Sequence, residues 1–304
     1  MKKIIEIKNL VKDFGSNRGN FDISLEIHKG ETFGLVGANG AGKTTLIRQI
    51  MGFLKPDSGE ITINGLDSWS ESHSIKKSVG YVPGEIAFPD LKSGIEFIKI
   101  QAELLNLKNM NYANKLIKQL QLDPSANLKR MSKGMKQKTA LVAALMSDPE
   151  IIILDEASTG LDPLMRVAFL DIIAEERKKG KTIFMSSHLY EELEKSCDKV
   201  ALIKGGKIIC VTDMRDIKDR KVTDYKIEFN NKQDYQIFKK LNYKIIRDQI
   251  KYNQVTISIE KQKITDLFKD LTVFDLKFIT EVKYTLQKHF YQIIKSQKEN
   301  HDDK

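Results

Sequence analysis

A glycine-rich stretch near the start of the chain restricts the possible folds more than any other part of the sequence. An apolar run that favours a β-strand, residues 32–36, ends at Gly37, and residues 37–44 then read Gly-Ala-Asn-Gly-Ala-Gly-Lys-Thr. Because glycine has no Cβ, the backbone can turn tightly here and direct successive N–H groups at an anion. A helix that begins near Lys43 would add the positive end of its dipole. This spacing is typical of loops that cradle nucleotide phosphates, and it predicts the order strand, loop and helix.

The polar side chains of this loop have distinct expected tasks. The ammonium of Lys43 would reach the β- and γ-phosphates of ATP, and the hydroxyl of Thr44 would be a ligand of the Mg²⁺ that bridges them. A glycine-rich turn before an ordinary helix is the simpler alternative, but the preceding strand and the Lys-Thr pair argue against it. The residues predicted to bind the nucleotide in this loop are Gly37, Ala38, Asn39, Gly40, Ala41, Gly42, Lys43, Thr44 and Thr45.

A second stretch supplies carboxylates, which a phosphate loop alone does not. Residues 151–154 form an uninterrupted aliphatic run bounded by turn signals, which favours a central strand of a parallel sheet. Asp155 and Glu156 follow at its carboxyl end. Asp155 would hold Mg²⁺ through water, and Glu156 would orient or deprotonate the attacking water, so Glu156 and Lys43 are candidate catalytic residues. The alternative is an acidic pair that caps the next turn.

Composition and charge argue against several other classes of protein. The chain has 304 residues, enough for two domains, and no apolar run approaches the ~18 residues of a membrane-spanning helix. Glu6 interrupts the apolar start before the core of a signal peptide could develop. Cys197 and Cys210 have no His or Cys partner at metal-ligand spacing. We therefore expect a cytoplasmic protein without structural zinc, and a net charge of +9 that reflects a lysine-rich surface more than nucleic-acid binding.

A change of pattern divides the chain into two predicted domains. Residues 1–211 begin with two alternating strands and continue with strands and helices in alternation, including a helical subdomain of about residues 85–148. Residues 212–304 lose the glycines and show the βαββαβ order of ferredoxin-like domains, with a trailing helix. We expect an α/β domain with a parallel-sheet core and an antiparallel β edge, followed by a smaller α+β domain of accessory or regulatory role.

The motifs of residues 1–211 together resemble those of ATP-binding cassette (ABC) ATPases, the P-loop subunits that power ABC transporters. Residues 131–138, Met-Ser-Lys-Gly-Met-Lys-Gln-Lys, stand just upstream of the carboxylate strand, where the family has its Leu-Ser-Gly-Gly-Gln signature. Residues 159–162, Thr-Gly-Leu-Asp, resemble the family's D-loop. The signature separates this family from other P-loop ATPases, so the resemblance implies the ABC ATPase fold with ATP and Mg²⁺ as cofactors.

This resemblance implies roles for four further residues. Phe14 would stack on adenine, and Ser132 and Gly134 would offer a hydroxyl and a backbone N–H to a γ-phosphate. His188, which follows two serines, would contact the γ-phosphate as a catalytic switch residue. A histidine taken alone is more often structural, and it is the order of the motifs that favours the catalytic role.

Two departures from the family pattern concern the same site. Lys133 and Met135 replace a glycine and the glutamine of the signature, whereas both of its phosphate donors remain. Gly84 stands where the family's Q-loop has a glutamine that reaches the metal and water and couples to the membrane partner. Glu85 or a water molecule would fill that place. The second departure therefore bears on coupling rather than on ATP binding.

The resemblance also implies partners. In the family, the P-loop of one copy and the signature of another enclose each ATP, so the active unit would be a homodimer or heterodimer of such subunits. A separate transmembrane permease would hold the subunit on the inner face of the cell membrane. The signature and residues 161–165, Leu-Asp-Pro-Leu-Met, are similar to those of exporter-associated members, which favours export.

Two other classes of function stay open beside this interpretation. ABC ATPases outside transport act on ribosomes or DNA, but they resemble tandem cassettes with a charged linker or carry long coiled-coil insertions, and the sequence has neither. A binding module whose ATPase has decayed would have lost catalytic residues, whereas Lys43, Asp155, Glu156 and His188 are all present. An ATP-hydrolysing transport subunit is the leading interpretation.

Overall fold

The structure, a computed structural model, describes residues 2–302, with side chains described as far as residue 296. It divides into two compact units, Met1–Met214 and Arg215–Lys304. The sequence predicts a boundary after residue 211, and residues 303–304 of the predicted second domain lie outside the described part of the chain.

The first unit alternates strands and helices along the chain. Its strands are β1 (Lys3–Asp13), β2 (Gly19–His28), β3 (Thr32–Val36), β4 (Ser58–Ile63), β5 (Leu66–Asp67), β6 (Val79–Val82), β7 (Ile151–Asp155), β8 (Thr182–Ser187), β9 (Lys199–Lys204) and β10 (Lys207–Asp213). Its helices are α1 (Lys43–Ile50), α2 (Ser72–Lys76), α3 (Gly94–Leu104), α4 (Asn111–Gln119), α5 (Lys133–Leu145), α6 (Pro163–Lys178) and α7 (Tyr190–Ser196).

A six-stranded sheet forms the core of this unit. Its strand order is β10-β9-β3-β8-β7-β6, with every neighbouring pair parallel except β10 and β9. Strands β3, β7 and β8 are buried along their whole length, which explains their continuous apolar runs. Because these three strands are parallel neighbours, their carboxyl ends meet at one edge of the sheet, where α/β proteins bind ligands.

A second, antiparallel sheet covers helix α1. Its strand order is β2-β1-β4-β5, and β2 buries Ile23, Leu25 and Ile27 while the residues between them face outward. Leu46 and Ile47 of α1 belong to the same apolar cluster as residues of both sheets. Each fully buried aliphatic side chain of this kind contributes ~1.5–3 kcal/mol. The packing therefore fixes α1, and with it the loop before it, between two sheets.

Helices α3, α4 and α5 form the helical part of the first unit, and a buried acid ties α4 to α6. Glu176 of α6 is fully buried; it accepts the hydroxyl of Tyr112 from α4 and pairs with Lys181 at 2.6 Å. The ammonium of Lys179 lies 4.1 Å from the centre of the Tyr112 ring and 2.8 Å from Glu176. Burial opposes ionisation of Glu176, but these partners hold its pKa below the ordinary value. The junction is therefore ionic rather than apolar.

The second unit has the predicted ferredoxin-like topology. Its elements are β11 (Val222–Phe229), α9 (Lys232–Phe238), β12 (Lys244–Gln249), β13 (Gln254–Glu260), α10 (Ile264–Leu271), β14 (Leu276–Val282) and α11 (Leu286–Asp302), preceded by α8 (Met214–Lys218) at the division. The antiparallel sheet has the order β12-β13-β11-β14. Its core includes Phe229 of the sheet, Phe238 of α9 and Leu267 of α10. Both helices therefore pack on one face of the sheet, the arrangement that the βαββαβ order predicts.

Candidate functional site

The glycine-rich loop joins the end of β3 to the start of α1. Gly40 and Gly42 have φ values of 79° and 106°, which side chains with a Cβ rarely adopt. A Cβ at Gly37 would lie 2.5 Å from the carbonyl oxygen of Ile203, so only glycine fits against β9. The loop therefore has the backbone geometry that the sequence pattern predicts.

Lys43 is buried at the base of this loop, with 4% of its surface exposed. Its Nζ donates to the carbonyl oxygens of Gly37 and Ala38 at 2.8 and 3.2 Å. The same Nζ lies 3.0 Å from Oε1 of Glu156. The two candidate catalytic residues from distant parts of the sequence therefore form one ion pair inside the loop.

A cleft of about 460 Å³ opens above the loop, a volume within the usual range for small-molecule sites. The side chains of Thr44 and Thr45 are half-buried there, and Phe14 is 55% exposed at the same cleft. The Nζ of Lys12 lies 5.8 Å from the centre of the Phe14 ring. The cleft is lined by Phe14, Asn17, Arg18, Gly19, Asn39, Gly40, Gly42, Lys43, Thr44, Thr45, Gly84, Glu85, Lys133, Glu156, Thr159, Gly205 and Gly206.

Asp155 is the last residue of β7, and only one oxygen of its fully buried carboxylate has a hydrogen-bond partner among the described residues. Its Oδ1 accepts the hydroxyl of Ser186 at 2.6 Å, whereas its Oδ2 has no hydrogen-bond partner among the residues that the structure describes. A Cβ at Gly84 would lie 3.1 Å from that Oδ2. A buried carboxylate oxygen without a partner is costly, and it is the kind of ligand that Mg²⁺ prefers. The donor set therefore fits a magnesium ion.

Glu156 is held by its backbone in an unusual conformation. Its φ is 48°, uncommon outside glycine, and its N–H donates to both the carbonyl oxygen and the hydroxyl of Ser186, each at 3.1 Å. Its carboxylate lies between two side chains, with the Lys43 ammonium 3.0 Å from Oε1 and Nδ1 of His188 3.3 Å from Oε2. Burial alone would raise the pKa of Glu156, but Lys43 and His188 outweigh it and hold that pKa below the ordinary value. The carboxylate is therefore ionised at neutral pH.

The signature residues lie elsewhere. Ser132 is exposed and caps α5, with its hydroxyl accepting the N–H of Met135 at 3.2 Å. Gly134 packs against the D-loop, where a Cβ would lie 2.7 Å from the carbonyl oxygen of Gly160. Within residues 2–302, neither Ser132 nor Gly134 lines the cleft, although Lys133 between them does. The structure thus brings together the phosphate loop, both acidic residues and His188, and leaves the two signature donors outside.

Several residues of the cleft have no counterpart in the sequence predictions. Asn17 and Arg18 come from the loop between β1 and β2, and Gly205 and Gly206 from the turn between β9 and β10. The N–H of Gly206 donates to the carbonyl oxygen of Ala41 at 3.0 Å. The Gly-Gly pair is a turn signal in the sequence. Its position beside the phosphate loop depends on β9 pairing with β3, which no local pattern encodes.

Comparisons with known proteins agree with this fold. A family model described as ABC transporter matches residues 21–159. The chain is 32% identical over 295 residues to an ABC transporter ATP-binding protein of Methanocaldococcus jannaschii, covering 95% of this chain and 99% of that protein. It is 30% identical to the Nod factor export ATP-binding protein I of Rhizobium etli, over 71% of this chain and 70% of that one.

Among solved structures, an ATP-binding subunit of an ABC transporter matches with a TM-score of 0.64 and 29% identity, over 71% of this chain and 92% of that chain. The P-loop ATPase fold and the family predicted from the sequence are confirmed. The chain belongs to the family of ABC transporter ATP-binding proteins, and it is an ATP-binding and ATP-hydrolysing enzyme.

Proposed function

We propose that this chain binds MgATP at the cleft above its phosphate loop, acts as a dimer with a second ATPase subunit and drives a separate transmembrane permease in the direction of export. One observation carries the catalytic part of this proposal. Glu156 lies between Lys43 and His188, beside a buried Asp155 that has one unpartnered oxygen. Such perturbed and incompletely paired groups in a cleft are typical of catalytic sites.

Thr44 and Asp155 are the proposed magnesium ligands. Magnesium is usually held by one or two carboxylates together with substrate phosphates. When bound, it would neutralise charge on the β- and γ-phosphates.

Glu156 is the proposed general base. The Lys43 ammonium and His188 hold its pKa below the ordinary value, so the ionised carboxylate can accept a hydrogen bond or a proton from the attacking water. His188, 42% exposed on its side chain, can hold Glu156 in place and face the γ-phosphate. Lys43 would transfer from the loop carbonyls to the phosphates. Phe14 would take the adenine ring, since its exposed face lies at the same cleft.

The dimer proposal is supported by what the cleft contains. It is lined by residues of the phosphate loop and by Glu156, but among the described residues it lacks the donors Ser132 and Gly134. Because Ser132 is exposed at the N-terminus of α5, it is available to an anion brought by another copy. A second subunit would therefore complete the site with its own signature.

The relatives support the permease and the direction of transport. They are ATP-binding proteins of ABC transporters, and one is named for export. Within residues 2–302, no helix is long and apolar enough to cross a membrane. We place the subunit at the inner face of the cell membrane through its permease. Recovery of the chain in the membrane fraction of its own cells supports this placement, whereas recovery with ribosomes and not with membranes contradicts it.

The substitution Glu156→Gln tests the catalytic proposal. The amide keeps the shape of the side chain but cannot accept a proton, so turnover should fall by roughly 10²- to 10⁴-fold. ATP binding should survive, and the variant should accumulate as an ATP-bound dimer. Phosphate release and size-exclusion chromatography with MgATP measure both effects. Glu103→Gln, on the exposed face of α3, is the matched control. Turnover of Glu156→Gln within a few-fold of the unmodified protein would remove Glu156 from the role of base.

A further inference from the structure

A second cleft lies beside the one that holds the phosphate loop. It has a volume of about 310 Å³ and is lined by Gly84, Glu85, Ile86, Lys133, Lys136 and Gln137. Three of these residues, Gly84, Glu85 and Lys133, also line the first cleft. The two clefts are therefore neighbours that share a wall, and the catalytic proposal uses only the first.

The second cleft contains polar groups that lack partners in the described part of the chain. Gln137 is 1% exposed, and its Nε2 makes no hydrogen bond there. A buried amide donor without an acceptor lowers stability, so it calls for an explanation. The ammonium groups of Lys133 and Lys136 likewise make no ion pair or hydrogen bond within residues 2–296. Two cations and one free donor against the single carboxylate of Glu85 favour an anion.

Gly84 lies between the two clefts, and as a glycine it places no side chain in the passage that joins them. A Cβ at this position would already lie 3.1 Å from Oδ2 of Asp155 and 3.3 Å from its Cγ, so a longer side chain here would occupy the space beside the catalytic acids. Glycine leaves that space open. An anion formed next to Asp155 and Glu156 therefore has a short path past Gly84 to the ammonium groups of Lys133 and Lys136.

We propose that the second cleft is a transient site for the inorganic phosphate released from ATP. The proposal rests on hydrolysis in the first cleft, where the water oxygen bonds to the γ-phosphorus, the bond to the β,γ-bridging oxygen breaks, and ADP, phosphate and one proton are formed. Lys133 and Lys136 neutralise the phosphate, and Nε2 of Gln137 donates to one of its oxygens. Glu85 accepts from a protonated phosphate oxygen. Lys133 contacts both clefts and can accompany the anion from one to the other.

Titration of inorganic phosphate into the full chain saturated with MgADP tests this site by calorimetry. Lys136 lines the second cleft and not the first, so Lys136→Ala should weaken phosphate binding by about fivefold or more. Gln137→Leu should weaken it by about threefold while leaving Tm unchanged or higher, because it removes a buried donor without a partner. Lys118→Ala, an exposed lysine of α4, loses the same charge and should bind phosphate normally.

The opposite results overturn the proposal. Unchanged phosphate affinity in Lys136→Ala, equal loss in Lys118→Ala, or no binding by the unmodified MgADP form would each exclude a phosphate site in this cleft. A lower Tm in Gln137→Leu would assign a structural role to that amide. Because the titration starts from MgADP and requires no cleavage, it can fail while Glu156→Gln still confirms the base, and it can succeed if the base lies elsewhere.

Discussion

Two buried carboxylates, one in each unit of the molecule, differ in their hydrogen-bond partners. In the first unit, Asp155 is fully buried, yet one of its oxygens has no partner in the described residues. In the second, Glu228 is 8% exposed and both oxygens are bonded, one to Gln254 at 2.5 Å and the other to Lys277 at 2.6 Å. Burial of a charge is costly in both places, but only Glu228 has enough protein partners.

The different partners of Asp155 and Glu228 follow from where the two residues lie in their sheets. Asp155 lies at an edge where three parallel strands end and a cleft opens, so its free oxygen can be satisfied by a bound ion. Glu228 lies within an antiparallel sheet whose other face carries an aromatic core of Phe229, Phe238 and their neighbours. The contrast predicts that changes in the first unit alter nucleotide chemistry, whereas changes in the second alter stability alone.

The largest effect on stability should follow Phe238→Ala in the second unit. The Phe238 ring is fully buried, with its centre 5.2 Å from that of Phe229 and 5.4 Å from that of Tyr243. Loss of such a side chain leaves a cavity and costs about 3–5 kcal/mol. Chemical denaturation should show this loss, while the Kd for ATP stays within about twofold. A large rise in that Kd would contradict the separation of the two units.

Next in size is the effect of Lys43→Ala on nucleotide binding. Removal of the buried ammonium should raise the Kd for ATP by roughly 100-fold, since a charge-assisted contact to phosphate is lost and Glu156 is left without its ammonium partner. Fluorescence titration measures this change. The control is Lys239→Ala, which breaks the ion pair with Asp248 in the second unit and should leave the Kd unchanged. Equal effects of the two substitutions on the Kd would contradict the proposed difference between the two units.

A smaller effect is expected for Gly84→Gln. The new side chain would start 3.1 Å from Asp155 Oδ2 and offer an amide where the family has one. ATP binding should persist, and steady-state hydrolysis should change by less than about tenfold, because Lys43 and Glu156 stay in place. Ala87→Gln, at an exposed position of the same loop, is the control. Loss of folding or of nucleotide binding would show that Gly84 does not correspond to the Q-loop glutamine.

The smallest effect should follow removal of residues 215–304. Every lining residue of the cleft lies within Met1–Met214, and the second unit has its own apolar core. The Kd for ATP of the truncated chain should therefore stay within about threefold of the full-length value in a nucleotide titration. A folded truncated chain that no longer binds ATP would show that the second unit takes part in the site.

Local patterns predicted most of the elements of both units. The aliphatic run of β7 and the glycine spacing before α1 are local signals, and the structure has both elements where the sequence indicates them. Strand β10 (Lys207–Asp213) was not predicted, because an edge strand with half-buried Ile208 and Cys210 lacks a strong alternating pattern. Edge strands depend on the neighbour they pair with, here β9.

Local sequence patterns predicted less of the site than of the fold. The motifs predict which residues matter, but neither the ion pair of Lys43 with Glu156 nor the left-handed backbone of Glu156 follows from local sequence. Both depend on β3, β8 and β7 lying side by side. Asn17 and Gly206 reach the cleft for the same reason, through sheet order rather than through sequence neighbourhood.

The bonds of Lys43 have a consequence for the timing of proton transfer. In the structure, its ammonium is shared among two loop carbonyls and Glu156, so a triphosphate must compete for it. If phosphate oxygens held the ammonium, Glu156 would lose its nearest cation, and its pKa would rise because burial would be less well opposed. A higher pKa would make the carboxylate a stronger base while the nucleotide is bound. We therefore expect ATP to strengthen the base that acts on it.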